Sequence, residues 1–333
     1  MPSSTFIFTC IIVVMALSFD FINGFHDCAN AIATSVTTKV LTMRQAIVMS
    51  ASLNFVGALM GVGVAKTIGS DMMNKDFVTQ NVVLAALIAA IIWDLLTWYY
   101  GLPSSSSHAL IGGLIGAAIL ANGSFAIIHW GTFLNKIVKW LILSPVIGLV
   151  AGYIIMKLIN VIFKNTKPTT VSKLFSKAQI ISAGAMAFMH GSNDAQKSMG
   201  VITMALVSAG TLTTFDVPLW VILACATAMA LGTSLGGAKI IKTVGSKMAK
   251  LAPVNGFAAE TAGALVISFA TYISHAPVST THTITSSIMG VGASKRINSV
   301  KWSVVNNILI AWVLTIPACA LIAGIITVII KLI

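Results

Sequence analysis

Charge is what this sequence has least of. Of its 333 residues only 8% are Asp, Glu, Lys or Arg, against about a quarter in an ordinary soluble domain, which excludes a solvated globular surface. The eight acidic residues are outnumbered by twenty basic ones. Those basic residues sit in short loops between apolar runs, so the excess reads as the positive bias of cytoplasmic loops and not as a face for nucleic acid. Cysteine is scarce too. Cys10, Cys28, Cys225 and Cys319 stand singly in apolar surroundings, without the spacing of a metal motif or a disulfide framework, and read as small core residues. Apolar and polar residues do not alternate as they do in a β-barrel. The first 19 residues lack a basic leader, and their apolar run continues into polar sequence, so they read as a retained first helix and not as a signal peptide.

What is present is apolar: 57% of residues are hydrophobic, with a mean hydropathy of +0.96. Runs near the roughly 20-residue spanning length recur, among them Val82–Tyr100, Trp140–Lys157, Pro218–Gly237, Phe257–Ile273 and Val304–Ile330. The expectation is an all-α integral membrane protein, multi-pass and embedded in the lipid bilayer of the plasma membrane.

The chain also repeats itself. Gly24–Asn30 echoes Gly191–Lys197, each placing an aspartate and amides in apolar sequence. Ala65–Met72 echoes Ile241–Met248, Pro103–His108 echoes Pro277–His282, and Trp140–Pro145 resembles Trp312–Pro317. The second copies lie 167 to 176 residues after the first. The expected organisation is a first membrane repeat over 1–159, a basic cytoplasmic linker over 160–177 and a second repeat over 178–333. Each repeat has about five segments, hence about ten in all, with broken or re-entrant helices. An odd number per repeat inverts one half relative to the other. Loop charge agrees: Lys157–Lys177, Lys239–Lys250 and Lys295–Lys301 are basic and read as inside, whereas the charges of Lys66–Asp76 cancel. Inverted repeats with polar, broken segments are the pattern of secondary transporters, whose sites lie near the midplane at the repeat interface.

The polar clusters carry the chemistry. Ser104–Ser107 follows Pro103, and Ser279–Thr281 follows Pro277; a proline followed by hydroxyls starts a helix. Backbone N–H groups at two converging N-termini, with several hydroxyls, suit a tetrahedral oxyanion without a fixed cation. The blander reading is that the hydroxyls only cap their own helices. His108 and His282 close the tracts as ligands or as turn residues. Charges at bilayer depth cost a few kcal/mol or more and mark an ion or substrate path. Asp27 and Asp194, with amide oxygens of Asn30, Asn193 and Gln196 and with carbonyls freed by helix breaks at Gly24 and Gly191, suit a hard cation such as sodium, or a proton. Asp94 and Glu260 either line the path or pair with lysine. Lys197 either neutralises Asp194, contacts the anion or snorkels outward. Asp20 and His190 adjoin the motifs without an assigned role. Gly57 with Gly61, and Gly112 with Gly116, have the small-xxx-small spacing of close helix packing.

On these residues the sequence resembles the Pit family of inorganic phosphate transporters. Its duplicated Gly-Ala-Asn-Asp-x-x-Asn signature is matched by Gly24–Asn30 and, in its second-half form, by Gly191–Lys197. Its Pro-x-Ser-Ser/Thr-Thr/Ser-His tracts are matched by Pro103–His108 and Pro277–His282. The resemblance implies symport of phosphate with a cation, movement of a transport unit against a scaffold, and assembly as a homodimer. It also implies that Ser105, Ser106, Ser107, Gln196, Ser279, Thr280 and Thr281 bind phosphate, while Asp27, Asn30, Asn193 and Asp194 hold or relay the cation. His26 stands where the sodium-type pattern has Asn; it removes an amide oxygen and adds a titratable imidazole, which leans the expectation from sodium toward protons. The expected partner is inorganic phosphate, with no nucleic acid and no cofactor beyond the transported ions. Sulfate is the rival cargo and a passive anion channel the rival class. An intramembrane serine hydrolase is disfavoured because adjacent Ser and His are poorly placed as a nucleophile–base pair and no Gly-x-Ser-x-Gly elbow is present.

Overall fold

The computed structural model describes residues 4–74, 77–247 and 251–332. Met248, the last residue of one echo, lies outside them, as do Lys75, Asp76 and Lys250 of the loops used for charge. The described residues are helical apart from connections and one isolated bridge between Met73 and Ile128.

The first half runs through α1 (Ser4–Thr37), α2 (Met43–Ala58), α3 (Gly63–Lys66) with a π turn at Thr67–Asp71, α4 (Gln80–Tyr100) and α5 (Ser106–Asn122). It ends in α6 (Trp130–Thr132), a π segment at Phe133–Val138 and α7 (Lys139–Ile162). The second half repeats the order. It comprises α8 (Pro168–Ser208), α9 (Leu219–Leu235), α10 (Ala238–Lys242) with a π turn at Thr243–Lys247, α11 (Pro253–Ser268) extended by a π turn at Phe269–Ile273, α12 (Thr280–Lys295) and α13 (Trp302–Leu332). That is five segments per half when each bent pair counts as one. The bends fall between α2 and α3, at 65°, and between α9 and α10, at 66°. Residues 160–177, expected as a linker, hold the end of α7, a short connection and the first turns of α8.

The Lys-Thr-Ile/Val-Gly-Ser echo has a structural reason. Thr67 Oγ1 donates to the carbonyl of His275 at 2.7 Å and Thr243 Oγ1 to that of Gly101 at 3.0 Å. Gly101 and His275 occupy equivalent places just after α4 and after the extension of α11, and both have positive φ, 64° and 50°. Each turns the chain toward the Ser/Thr tract that follows, the second repeat doing so with a residue that rarely adopts this conformation.

The halves are interleaved. α5 of the first packs along α13 of the second, and α12 of the second along α7 of the first; likewise α1 packs on α9 and α8 on α2. Glycines set these distances. A Cβ at Gly116 would lie 2.2 Å from the Ala320 carbonyl oxygen, and one at Gly290 would lie 1.9 Å from that of Leu149. Without a hydrophobic drive between lipid-solvated helices, such close backbone approach supplies the packing. Outward faces are apolar, with Val313, Leu321, Ile142 and Ile154 exposed, while Thr315 and Ser144 on the same helices are buried.

One expectation fails here. α1 and α8 pass through Gly24 and Gly191 without interruption. These glycines do not break the motif helices; they admit neighbours, since a Cβ at Gly24 would meet the Met229 carbonyl and one at Gly191 the Asn54 carbonyl. Replacing Gly116 by Leu should separate α5 from α13 at a cost of at least about 3 kcal/mol, at the upper end of overpacking because the obstacle is backbone. Gly131→Ala, where a Cβ meets nothing within 4 Å, should be neutral. Thermal unfolding of the two purified variants in detergent checks both.

Candidate functional site

Both hydroxyl tracts end in capped helices. Ser105 is the N-cap of α5, accepting from the His108 N–H at 3.2 Å, and Ser279 is the N-cap of α12, accepting from the His282 N–H at 3.1 Å. The N–H groups of Ser106, Ser107, Thr280 and Thr281 lie in first turns, where no preceding helical carbonyl can receive them. The two N-termini meet: Ser107 Oγ donates to the Val278 carbonyl at 3.0 Å. The imidazoles of His108 and His282 pack edge to face with centroids 4.4 Å apart, and His282 stacks on Trp312 at 3.7 Å. Trp312 Nε1 donates to the Pro103 carbonyl at 3.2 Å, tying α13 to the chain leading into α5.

The motif aspartates point at these tracts. Ser106 Oγ lies 3.5 Å from Asp27 Oδ2, and Thr280 Oγ1 lies 3.4 Å from Asp194 Oδ2. Asp27, His190 and Asp194 each bring one ligand atom within 4.8 Å of the others. The residue before each aspartate bonds a threonine of its own half. His26 Nε2 is 3.0 Å from Thr97 Oγ1, with Nδ1 2.6 Å from Asp27 Oδ1, and Asn193 Nδ2 donates to Thr271 Oγ1 at 2.8 Å. The residue three after each aspartate crosses to the other half. Asn30 Nδ2 donates to Thr280 and Thr281 at 3.1 and 2.9 Å, and Lys197 Nζ donates to Ser107 Oγ, to Asp194 Oδ1 at 2.6 Å and to the Val278 carbonyl at 3.1 Å. No hydroxyl of either tract, and neither aspartate, is more than 3% exposed, so the site is occluded.

The structure therefore gathers Asp27, Asn30, Asn193 and Asp194 with both tracts, and His26 with them through Asp27. Gln196 is bonded elsewhere: its Oε1 accepts from the Val64 N–H at 2.8 Å and its Nε2 donates to the Ser192 carbonyl at 2.7 Å. Two sequence readings change. The tracts hold no basic residue of their own, yet Lys197 reaches one of them, fully buried and not snorkelling. The non-helical carbonyls that the site residues bond belong to Val278 and Ala276, in the stretch before α12, and not to an unwound motif. Thr97 and Thr271 were missed by motif reading. Their spacing, equal to that of the two tracts, marks them as a pair.

A closed polar centre at the meeting of two inverted, interleaved helical halves is the architecture of a membrane transporter. Residues 23–323 match the model of the phosphate transporter family, and the chain belongs to that family. It is 54% identical over 323 residues to a probable low-affinity inorganic phosphate transporter of Bacillus subtilis, covering 96% of each chain. Over 315 residues it is 45% identical to one of the same name from Rhizobium meliloti, covering 94% of this chain and 93% of the relative. The solved structure titled "The sodium-dependent phosphate transporter" superposes with a TM-score of 0.88 at 26% identity, covering 98% of this chain and 99% of the other. These relatives are transporters and not enzymes.

Glu260 lies outside this centre and pairs with no lysine among the described residues. Its carboxylate accepts from the hydroxyls of Thr34 and Ser182 and from Gln179 Nε2 at 3.2 Å, joining α11 to α1 and α8. Removing the carboxylate strands three buried donors, each worth about 1–3 kcal/mol when unsatisfied. Glu260→Ala should lower the detergent unfolding temperature by several degrees, and Glu260→Gln, which keeps acceptor and shape, by much less; a thermal melt of both variants measures the difference.

Proposed function

We propose that this protein imports inorganic phosphate across the plasma membrane by alternating access, in symport with protons and with no cofactor. The observation that carries the reading is the convergence of two helix N-termini, their hydroxyls and two carboxylates in one occluded centre. Free N–H groups and hydroxyls of the first turns of α5 and α12 donate to the phosphate oxygens, aided by the positive ends of both helices. Asp27 and Asp194 cannot donate when ionised; they accept. Beside the hydroxyls of Ser106 and Thr280, they are placed to receive the P–OH hydrogen of a protonated phosphate. Sulfate has no such hydrogen at neutral pH, and it would set bare oxygens against the carboxylates. Discrimination by repulsion of the wrong ligand follows.

Proton coupling is favoured over sodium by His26. A sodium site needs oxygen lone pairs, whereas the imidazole turns a ring nitrogen toward Asp27 at 2.6 Å and can carry hydrogen there. The related structure titled as sodium-dependent is the argument for the other ion, and the choice is open to direct measurement. In proteoliposomes, an imposed proton gradient should drive accumulation of labelled phosphate, an imposed sodium gradient alone should not, and excess cold sulfate should leave uptake unchanged. Equilibration without accumulation under either gradient would instead fit a channel. In the same assay, Ser106→Ala combined with Thr280→Ala removes two donors to a charged ligand and should raise the apparent KM at least about tenfold; an unchanged KM would leave both hydroxyls as partners of Asp27 and Asp194 only.

A further inference from the structure

We infer that Lys197 is the resident cation of the second half-site: its ammonium fills the oxygen cage a coupling sodium would need, and the residue at this position decides whether the chain uses sodium. The inference rests on the phosphate-transport reading above and adds the determinant of ion choice. Lys197 is fully buried, and its Nζ sits among three oxygens of different kinds, the Asp194 carboxylate at 2.6 Å, the Val278 carbonyl at 3.1 Å and the Ser107 hydroxyl. Carboxylate, backbone carbonyl and hydroxyl are the hard donors from which proteins build alkali and alkaline-earth sites. An ammonium has three hydrogens to give, and each is received here.

The internal repeat supplies the control. Asn30 and Lys197 occupy equivalent places, three residues after the motif aspartate, and each reaches across to the other half, Asn30 to Thr281 and Lys197 to Ser107, which is the equivalent hydroxyl. The first half thus shows what this position does when it is neutral: an amide bridges the halves and leaves its Oδ1 without a hydrogen bond among the described residues. In the second half that amide is replaced by a positive charge on the aspartate itself. The position before each aspartate is exchanged in the opposite sense, His26 in the first half and Asn193 in the second. Each carboxylate therefore has a nitrogen partner from its own motif on its Oδ1, by different residues at different offsets, while Asp194 Oδ2 also faces Asn23 Nδ2 at 3.5 Å and His190 Nε2 at 3.7 Å. A sodium ion beside Asp194 would have to displace the ammonium, and two cations in one cage repel strongly in a low-dielectric interior.

The test is Lys197→Asn, which gives the second motif the amide of the first, with Lys197→Arg as the charge-preserving control, each as the full chain in detergent and in proteoliposomes. Two quantities are read with sodium replaced by choline: the unfolding temperature and phosphate uptake. For the wild type and Lys197→Arg, sodium should change neither. For Lys197→Asn, sodium should raise the unfolding temperature, and uptake in choline should fall by about a hundredfold and recover in sodium, as expected when a buried carboxylate loses its partner and regains one. A sodium-dependent rise in the unfolding temperature of the wild type would overturn the inference, as would a folded Lys197→Asn protein whose stability and uptake ignore sodium. The wild-type melt decides the matter if Lys197→Asn does not fold. Wild-type uptake that fails under every gradient would instead sink the phosphate reading and leave the melts interpretable on their own.

Discussion

Two carboxylates within 4.8 Å of one another, buried at the centre of a membrane protein, are the constraint to which the rest of the structure answers. Either one alone would be costly away from water, and together they repel. Each is answered locally. Asp27 takes the imidazole of His26 and the hydroxyl of Ser106; Asp194 takes the ammonium of Lys197 and the hydroxyl of Thr280. These partners come from short-range sequence or from the tract of the same half, and Asp194 takes one more from across the seam, the Asn23 amide at 3.5 Å.

Bringing those partners together requires backbone where side chains normally separate helices. α5 and α12 are short, 17 and 16 residues, and begin inside the molecule, so their N-termini and not their sides face the aspartates. A helix that begins indoors must have its first N–H groups satisfied. Ser105 and Ser279 take one each, and those left over are what an oxyanion can use. Holding the two short helices in register falls to glycine: Gly112 and Gly116 seat α5 on α13, and Gly290 lets α12 lie against α7. Each re-entrant helix is thus clamped by the long proline-containing helix of the opposite half, and the site cannot form from one half alone.

Much of this was legible because the chain states it twice. The duplicated motifs, the proline before each tract and the small-residue spacings are local signals, and they led directly to the five-segment halves, the N-caps and the converging tracts. What was not legible depended on distances across the fold. Nothing in the string Gly24–Asn30 distinguishes a glycine that breaks a helix from one that admits the Met229 carbonyl, and only the position of α9 decides it. Gln196 resembles its neighbours in the motif, yet one residue on an α-helix is a turn of about 100°, enough to send its amide to Val64 while Lys197 faces Ser107. Glu260 read as a charge in search of a lysine because its three neutral donors come from two other helices.

The duplication also shows where the halves have ceased to be equal. Bonds from the aspartates to Ser106 and Thr280 stay within a half, whereas the residues three further on bond across to the other half. There the first half offers a neutral amide to both Thr280 and Thr281 and the second an ammonium to Ser107. A hydrogen bond from an ionised donor is roughly twice as strong as a neutral one, so the two cross-links, equivalent by position, differ in kind: two neutral bonds on one side and one charged bond on the other. In an inverted repeat, equivalent positions look toward opposite sides of the membrane. The two sides of the centre are therefore held by chemically different links, although the scaffold around them is the same.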